Sequence, residues 1–174
     1  MQSNGSLRQT TICTIGHSNV EFEKFLSLLK ETEVLVDVRS VPYSKYVPQF
    51  NADNLKRGLE SIGIRYVFME DEYAKNILGG RPSDNDCYTN GKVIYEEVVK
   101  KKWYKEGILA LIDLADKNKV TIMCSEEDPY KCHRHQLITQ SLLKKGVIVF
   151  HIRGNSNKER IDKPEKKLVQ LTLI

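Results

Sequence analysis

The stretch of sequence that decides the fold reads VTIM at 120–123, CSEEDPYKCHRH at 124–135 and QLITQSLLKK at 136–145. The first run is apolar and β-branched, which favours a buried strand, and the last predicts a helix that ends at Gly146. The turn between them crowds thiols, imidazoles, carboxylates and a guanidinium together. In open α/β sheets, ligands bind where strands end and helices begin. The turn therefore predicts a functional site.

The same alternation of strand and helix extends along most of the chain. Apolar, β-branched runs predict strands at 11–15, 34–38, 64–68, 120–123 and 147–152. The segments between them predict helices: one capped by Ser18 or Asn19, one capped by Asn51 or Asp53, one over 92–118 that breaks near Gly107, and one that begins at Asp128-Pro129. Because parallel strands need right-handed crossovers, we predict a single α/β domain with a five-stranded, mainly parallel sheet and helices on both faces.

The segments outside this alternation have less regular patterns. Residues 1–10 are predicted to be a flexible N-terminal tail, and residues 11–174 to form the single domain. Residues 70–91 form a long connection that contains GGRP at 79–82, and a connection of this length in a compact domain is usually functional or mobile. The charged segment 154–167 is predicted to be a loop, and 168–174 to add a short edge strand or helix.

Composition is typical of a soluble globular protein. Hydrophobic residues make up 40% of the 174 residues, and no apolar run approaches the roughly 20 residues that cross a bilayer. The first ten residues lack the apolar stretch of a signal peptide, so we expect a cytoplasmic protein with no membrane partner. Its four cysteines should then be reduced. The net charge of +4 is spread along the chain, which favours solvated surface charge but leaves nucleic-acid binding open.

Polar groups lie at the ends of four of the predicted strands. They are His17 and Ser18 after the first strand, Asp37 and Arg39 at the second, Cys124 after the fourth, and His151 in the fifth. Parallel strands point the same way, so these groups share one edge of the sheet and can converge on one crevice.

Cys124 is the predicted centre of this site. A thiol that faces a helix N-terminus, with Arg134 or Arg39 nearby, has a lowered pKa and a larger thiolate fraction. The predicted catalytic groups are Cys124 as nucleophile or ligand contact, Glu126 and Asp37 as acid or base, and His17 and His151 as their partners. The simpler alternatives are an inert thiol at Cys124 and a plain salt bridge from Asp37 to Arg39.

Several arginines indicate the charge of the ligand. Guanidinium groups match phosphate, sulfate or carboxylate, and Arg81 follows two glycines that allow a close backbone approach. We therefore expect a small anionic ligand as the partner. Its predicted contacts are Arg39, Arg81, Arg134, Ser18, Tyr43, Cys132 and His133.

The same turn has the residue types of a metal site, with the spacing C-x7-C-H-x-H. Common structural zinc sites place paired ligands two to four residues apart. Adjacent Cys132 and His133 are expected to point to different helix faces, so no metal site is predicted from the four groups together. A partial site with His17, Cys124 or His151 stays open. The sequence identifies no cofactor and no oligomeric state.

Together these motifs resemble domain-of-unknown-function family 488. The matching segments are, in order, TIGHSN at 14–19, LVDVRSVPYS at 35–44, QFN at 49–51, LGGRP at 78–82, MCSE at 123–126, CHR at 132–134 and HI at 151–152. The resemblance implies an α/β fold with a site at these segments, and it implies no established reaction. It does not extend to His135 or Cys87, which are discounted as site residues.

A weaker similarity is to rhodanese-like domains, whose nucleophile loop cradles an anion with backbone N–H groups. Here the acidic run Glu126-Glu127-Asp128 follows Cys124 and would repel an anion. We therefore predict an enzyme or binding domain for a small anionic or nucleotide-like molecule, with cysteine chemistry as one route, and leave its catalytic status open. The alternatives are a nucleic-acid or protein binding module and a metal-binding protein.

Overall fold

The computed structural model describes residues 9–70 and 76–165. Its strands are β1 (Thr11–Gly16), β2 (Val34–Asp37), β3 (Arg65–Phe68), β4 (Tyr88–Thr89), β5 (Lys92–Val93), β6 (Val120–Cys124), β7 (Ile148–Ile152) and β8 (Lys158–Ile161). Its α-helices are α1 (Phe22–Leu28), α2 (Ala52–Glu60), α3 (Tyr95–Val98), α4 (Lys102–Lys117) and α5 (Gln140–Lys144). A π-helical segment, Arg134–Thr139, leads directly into α5.

Six strands form one mixed sheet in the order β3-β2-β6-β1-β7-β8. The first five pair in parallel, which confirms the predicted α/β class and the mainly parallel sheet. The prediction of a loop over 154–167 is wrong, because β8 pairs antiparallel with β7 and places Lys158 opposite Ile152. Exposed and half-buried residues alternate along β8, and charged residues of this kind are common on strands at a sheet edge.

Helices cover both faces of the sheet and create two apolar clusters. On one face, Phe25 of α1 and Leu59 of α2 share a cluster with Leu35 of β2. On the other face, Leu111 of α4 shares a cluster with Ile122 of β6. Because β2 and β6 are buried on both faces, their sequences are continuous apolar runs rather than alternating ones.

The strand order creates a crevice between β2 and β6. The chain leaves β2 through α2 toward β3 at one side of the sheet, whereas it leaves β6 through α5 toward β7 at the other side. The two connections therefore diverge at the carboxyl ends of neighbouring strands. Ligands of open α/β sheets bind at such a switch point. The fold thus places the residues after β2 and β6, which include Arg39 and Cys124, at the expected location of a site.

Segment 92–118 departs from the predicted helical span. Its first residues form β5, which pairs with β4 through a tight turn in which Asn90 and Gly91 both have positive φ. The helical part divides at 99–101 and not at Gly107. Gly107 lies inside α4, where a Cβ would come within 3.0 Å of the Ile77 side chain. Its missing side chain therefore serves packing rather than a helix break.

The predicted helix starts also change. Ser18 does not cap α1 but adopts a left-handed φ of 45° in the turn before it. Asp128 caps only a short 3-10 turn, Pro129–Lys131, through a 3.1 Å hydrogen bond that its carboxylate accepts from the N–H of Tyr130. The chain then extends at the next residue before the π-helical segment begins, so the predicted single helix is two pieces.

Residues 1–8, 71–75 and 166–174 lie outside the described residues, and with them most of the predicted tail and the predicted final element. Thr10, within the predicted tail, already pairs with the sheet, because its carbonyl accepts the N–H of Ile148 at 2.9 Å. Among the helices that the structure describes, none combines the length and apolar character needed to cross a bilayer.

A close backbone approach ties the end of β1 to the turn after β6. The N–H of His17 donates to the carbonyl of Cys124 at 3.1 Å. Gly16 permits this approach, because a Cβ at this position would lie 1.6 Å from the carbonyl oxygen of Glu126. Any larger residue must therefore displace the turn that carries Cys124.

Gly16→Ala should lower the free energy of unfolding by about 3 kcal/mol, the scale of a severe overpacking change. Gly154→Ala is the matched control, because its new Cβ would meet nothing closer than 3.7 Å. The control should change stability by less than about 0.5 kcal/mol. Urea unfolding of both variants measures the difference, and two equally small effects would contradict the close approach.

Candidate functional site

A crevice of about 530 Å³ opens at the carboxyl ends of β2 and β6. Its walls come from the loop after β2, the GGRP loop, α3 and the turn after β6. The residues that line it are Arg39, Ser40, Val41, Tyr43, Gly80, Arg81, Tyr95, Cys124, Ser125, Glu126, Lys131, Cys132 and His133. The lining thus brings together the predicted residues Cys124, Glu126, Arg39, Arg81, Tyr43, Cys132 and His133. It does not include the predicted residues His17, Asp37, His151, Arg134 and Ser18.

The two thiols and the imidazole of His133 form one cluster. Nδ1 of His133 lies 3.7 Å from Sγ of Cys124 and 3.8 Å from Sγ of Cys132. The expectation that Cys132 and His133 point to different helix faces is wrong, because Cys132 has the extended backbone angles φ −126° and ψ 145° and precedes the helical segment. The turn after β6 therefore folds both adjacent side chains back toward Cys124.

The contacts of Nε2 determine which ring nitrogen of His133 carries the hydrogen. Nε2 lies 3.0 Å from the carbonyl oxygen of Val38 and 3.1 Å from that of Leu78. Carbonyl oxygens only accept hydrogen bonds, so Nε2 must carry a hydrogen. Nδ1, which faces the two sulfur atoms, is then free to accept a thiol proton or to hold it against a thiolate. This is the arrangement in which an imidazole activates a cysteine.

The contacts within the cluster shift the pKa values of the two thiols in opposite directions. A hydrogen bond from Cys132, and then the hydrogen bond and charge of His133, lower the pKa of Cys124 to about 5 against the effect of burial. The hydrogen bond to Cys124, together with burial, raises the pKa of Cys132. Although burial opposes its charge, the contact with Cys124 raises the pKa of His133. Cys124 is therefore the more acidic thiol of the pair, and the Cys132 thiol donates to it.

Glu126 adds a carboxylate to the same wall of the crevice. Its Oε2 lies 3.4 Å from Sγ of Cys124. Burial opposes its ionisation, but hydrogen bonds from its own backbone N–H and from the thiols of Cys132 and Cys124 lower the pKa of Glu126. A carboxylate and a thiolate at this separation repel each other unless a proton or another cation lies between them.

Arg39 reaches the crevice from the end of β2, and Asp37 holds it there. Nε and Nη2 of Arg39 donate to the Asp37 carboxylate over 2.6–3.2 Å, and the Tyr66 hydroxyl donates to the same carboxylate at 2.8 Å. Although burial opposes its charge, this pairing raises the pKa of Arg39. Asp37 is fully buried behind Arg39, which places it as an anchor of the guanidinium rather than in the crevice lining.

His17 supports Arg39 from the other side. Its Nδ1 lies 2.7 Å from the carbonyl oxygen of Ser18 and must donate to it, so the Nε2 lone pair accepts from Nη1 of Arg39 at 3.4 Å. The ring stacks on Phe50 with centroids 4.3 Å apart. Burial lowers the pKa of His17 to about 4, so the ring is neutral at pH 7. The Ser18 hydroxyl turns away toward Asn19.

Arg81 enters the crevice on the GGRP loop, with its side chain exposed. The loop is fixed to the turn after β2, because the N–H of Arg81 donates to the Ser40 hydroxyl at 3.0 Å. The preceding glycines are not required by backbone angles, since neither has a positive φ. Instead, a Cβ at Gly79 would meet Ser40 at 2.8 Å, and one at Gly80 would meet the His133 ring at 2.9 Å. The glycines let the loop lie directly on the cluster.

Arg134 lies beneath the turn, fully buried. Its Nη1 and Nη2 donate to the carbonyls of Glu126 and Glu127 at 2.7 and 2.8 Å. The acidic run does not face the crevice as a whole, because the Glu127 carboxylate pairs with Arg153 at 2.9 Å and Asp128 caps the following turn. Of the three acidic residues, Glu126 alone contributes to the lining.

His151 belongs to a buried chain of hydrogen bonds behind this turn. Arg134 donates to Thr14, Thr14 bonds Nδ1 of His151 at 2.7 Å, and Nε2 of His151 bonds Nδ1 of His135 at 2.8 Å. Nε2 of His135 then meets the Glu165 carboxylate at 3.0 Å. Each bond of this chain has one donor if the Thr14 hydroxyl, Nε2 of His151 and Nε2 of His135 all donate in the direction of Glu165. Burial, and then the charges of His135, Arg134 and Arg153, lower the pKa of His151 to about 3.

The crevice also contains residues that sequence reasoning missed. Tyr95 and Lys131 belong to the lining, and burial followed by the nearby thiols raises the pKa of Tyr95 to about 12. Tyr95 lies in the segment predicted as one long helix, where nothing distinguishes it from a packing residue. Lys131 follows the acidic run and could have been included with the turn. Two aromatic residues near Tyr43 in the sequence do not join it in the lining, because Tyr46 is highly exposed and Phe50 is buried in the core.

A second cavity, of about 690 Å³, lies beside the amino-terminal ends of β1 and β6. It has few reactive groups. Burial raises the pKa of its thiol, Cys13, and its Lys158 is paired with Glu31. The chemistry of the chain is therefore concentrated at the opposite, carboxyl edge of the sheet.

Comparison with known families agrees with the geometry of this crevice. A model described as Domain of unknown function DUF488 matches residues 21–140. The chain belongs to this family. The DUF488 match spans β2, the GGRP loop and the turn after β6, which supply the lining, and it stops before His151. The comparisons do not show the expected similarity to rhodanese-like domains. No curated protein or solved structure matches the chain.

The buried imidazole of His151 predicts a pH-dependent stability for this DUF488 protein. The folded-state pKa of His151, about 3, lies below the ordinary value of 6.5. The unfolded chain therefore binds more protons between these values, so stability is complete above pH 6.5 and falls as the pH approaches 3. His151 should account for a loss of roughly 2–3 kcal/mol between pH 7 and 4.

His151→Gln tests this assignment, because glutamine keeps an acceptor and a donor but does not titrate. Urea unfolding at several pH values should show a flatter decline for the variant than for the wild type. The remaining slope should come largely from His17, whose pKa is also lowered. Parallel declines for the two proteins would rule out His151 as the titrating group.

Proposed function

We propose that the crevice binds a small anionic molecule, such as a phosphate or a carboxylate, next to the Cys124 thiol. The observation that carries this proposal is that Arg39 and Arg81 line the same crevice as Cys124 at the switch point of the sheet. The crevice volume of about 530 Å³ suits a small molecule of metabolite or nucleotide size.

The two arginines contribute in different ways. Three N–H groups of Arg39 donate to Asp37 and His17, which leaves one donor each on Nη1 and Nη2 for a ligand. Arg81 has an exposed side chain, and no residue in the described part of the chain forms an ion pair with its guanidinium fork. A pre-positioned Arg39 and an adaptable Arg81 can therefore hold one anion between them, since guanidinium groups bind oxyanions bidentately.

Cys124 is the reactive group of the proposed site. His133 faces its sulfur with the ring nitrogen that is free to take a proton, and Glu126 lies on its other side. A cysteine next to a base can attack an electrophilic centre of a ligand that the arginines position. We propose Cys124 as the nucleophile, His133 as its base, and Glu126 as a second acid or base group.

Arg81→Ala should weaken binding of inorganic phosphate or a mononucleotide by about 1.5–3 kcal/mol, the scale of a charged hydrogen bond. The exposed side chain supports no core packing, so stability should change by less than about 1 kcal/mol. Arg81→Lys should restore binding only in part, because lysine lacks the bidentate fork. Titration calorimetry and thermal melts measure both quantities.

Arg160→Ala is the matched control for Arg81, because Arg160 is an exposed arginine on β8 that pairs with Asp162 away from the crevice. It should leave anion binding unchanged. Equal weakening by the two substitutions would indicate a general charge effect. A large loss of stability with unchanged affinity would make Arg81 a structural residue.

Cys124 should be the first cysteine to react with a limiting alkylating agent in chelator-treated protein near pH 7, and phosphate should protect it. The competing thiol is Cys13, which is more exposed than Cys124 but has no adjacent imidazole to activate it. Cys87 is buried, and Cys132 donates to Cys124. Mass spectrometry of the labelled peptides decides the order, and preferential labelling of Cys13 would show that exposure governs reactivity.

A further inference from the structure

We infer that Cys124, Cys132 and His133 form a binding site for a divalent transition metal, Zn²⁺ in the first instance, with an open coordination position facing the crevice. The ligand atoms of these three residues all lie within 4.8 Å of one another. Two thiolates and one imidazole are the ligand types that Zn²⁺ prefers, and three protein ligands with one open position are typical of catalytic zinc.

The distances agree with a tetrahedral ion. With zinc bonds of about 2.3 Å to sulfur and 2.0 Å to nitrogen, a tetrahedron has sulfur–nitrogen edges of about 3.5 Å. The observed edges from Nδ1 of His133 to the two sulfur atoms are 3.7 and 3.8 Å. One nitrogen nearly equidistant from two sulfurs is therefore close to the geometry of three ligands around a common centre.

The surroundings of the three ligands support the same conclusion. Metal-binding histidines almost always donate their other ring N–H to a carbonyl or carboxylate, and Nε2 of His133 donates to the carbonyls of Val38 and Leu78. The sulfur of Cys132 accepts the N–H of Arg134 at 3.4 Å, a bond that stabilises a thiolate. These contacts orient the donor atoms before any ion arrives.

The negative charge of the thiolate and carboxylate at the crevice floor also favours a bound cation. Sγ of Cys124 and Oε2 of Glu126 lie 3.4 Å apart, so a proton or another cation close to them is needed to offset their repulsion. A divalent ion would neutralise the two thiolates and take up the Nδ1 lone pair of His133, so the nucleophile and base roles proposed for Cys124 and His133 belong to the metal-free form. All three ligands line the crevice together with Arg39 and Arg81, so we place the open coordination position on the side of these arginines. An anionic ligand could bind the ion there, and this part of the inference rests on the proposed function.

Metal titration of the full chain tests the site. Chelator-treated protein should bind one Co²⁺ per chain, with thiolate-to-cobalt charge-transfer absorption and the strong visible bands of a tetrahedral ion. Zn²⁺ should displace the cobalt. Cys132→Ser and His133→Asn should each weaken the metal affinity by at least about 100-fold, because each removes a direct ligand. Cys13→Ser, a thiol on β1 outside the cluster, should leave affinity and spectrum unchanged.

Circular dichroism and thermal melts show that each variant is folded before its affinity is compared. His133→Asn serves where Cys132→Ser does not fold, because it leaves both thiols in place. An absence of stoichiometric binding, or binding that survives both substitutions, would overturn the metal site. Loss of the cobalt spectrum in Cys13→Ser would also overturn it.

Phosphate titrations of the chelator-treated and zinc-loaded forms separate this inference from the proposed function. Phosphate binding by a protein that binds no metal would remove the metal site and leave the anion site standing. Metal binding without phosphate affinity in either form would remove the anion site and leave the metal site standing. Phosphate binding strengthened by zinc is the expected result, because the open position would then accept a phosphate oxygen.

Discussion

The buried guanidinium of Arg134 is the interaction on which the rest of the site depends. It lies fully inside the protein and donates to two consecutive backbone carbonyls, those of Glu126 and Glu127. Burial lowers the pKa of Arg134, but carbonyl oxygens and the Thr14 hydroxyl satisfy its donors. Hydrogen bonds that involve a charged partner are about twice as strong as neutral ones. The turn after β6 is therefore held from below, which keeps Cys124 at the floor of the crevice.

The supports of the crevice are distinct from its lining. Asp37 and His17 hold Arg39 from behind, whereas Arg134, Thr14 and His151 hold the turn. In both groups the imidazoles are buried and neutral, so they act as directional links with one donor and one acceptor. A second proton would face Arg39 from Nε2 of His17, and it would face the Thr14 hydroxyl from Nδ1 of His151. Burial first, and then the neighbouring cations, lower the pKa values of His17 and His151.

The sequence predicted the sheet well because its central strands are continuous apolar runs separated by helix signals. It could not predict the strand order, since that depends on which runs pair. β8 was missed because an edge strand can be as charged as a loop. At the site, the strand-end rule brought Arg39 and Cys124 together, and the crevice lining contains both residues beside Arg81 of the GGRP loop. It could not distinguish a residue that faces the crevice from one that supports it, as Asp37 and Arg134 do.

The cysteine–histidine cluster shows most clearly where the sequence argument stopped. The pair Cys132-His133 was placed on a helix, where neighbouring side chains diverge by about 100°. Pro129 and the cap at Asp128 instead form a short 3-10 turn, after which Cys132 is extended. Extended backbone before a helix lets two adjacent side chains converge on Cys124. The local conformation at one residue therefore decides whether this motif is an inert helix face or a cluster of three reactive groups.

The charges of the crevice explain why these reactive groups belong together. Asp37 neutralises Arg39 from behind, so Arg81 and Lys131 carry most of the positive charge offered to a ligand, while Cys124 and Glu126 oppose it. An anion would therefore bind weakly next to a bare thiolate and carboxylate. A proton shared between Cys124 and Glu126, or an ion held by the two thiols and His133, removes the electrostatic repulsion between these groups and the anion. Under the proposed function, the protonation or metal occupancy of Cys124, Cys132 and His133 would thus set the affinity of the crevice for anions and couple the chemistry of Cys124 to ligand binding.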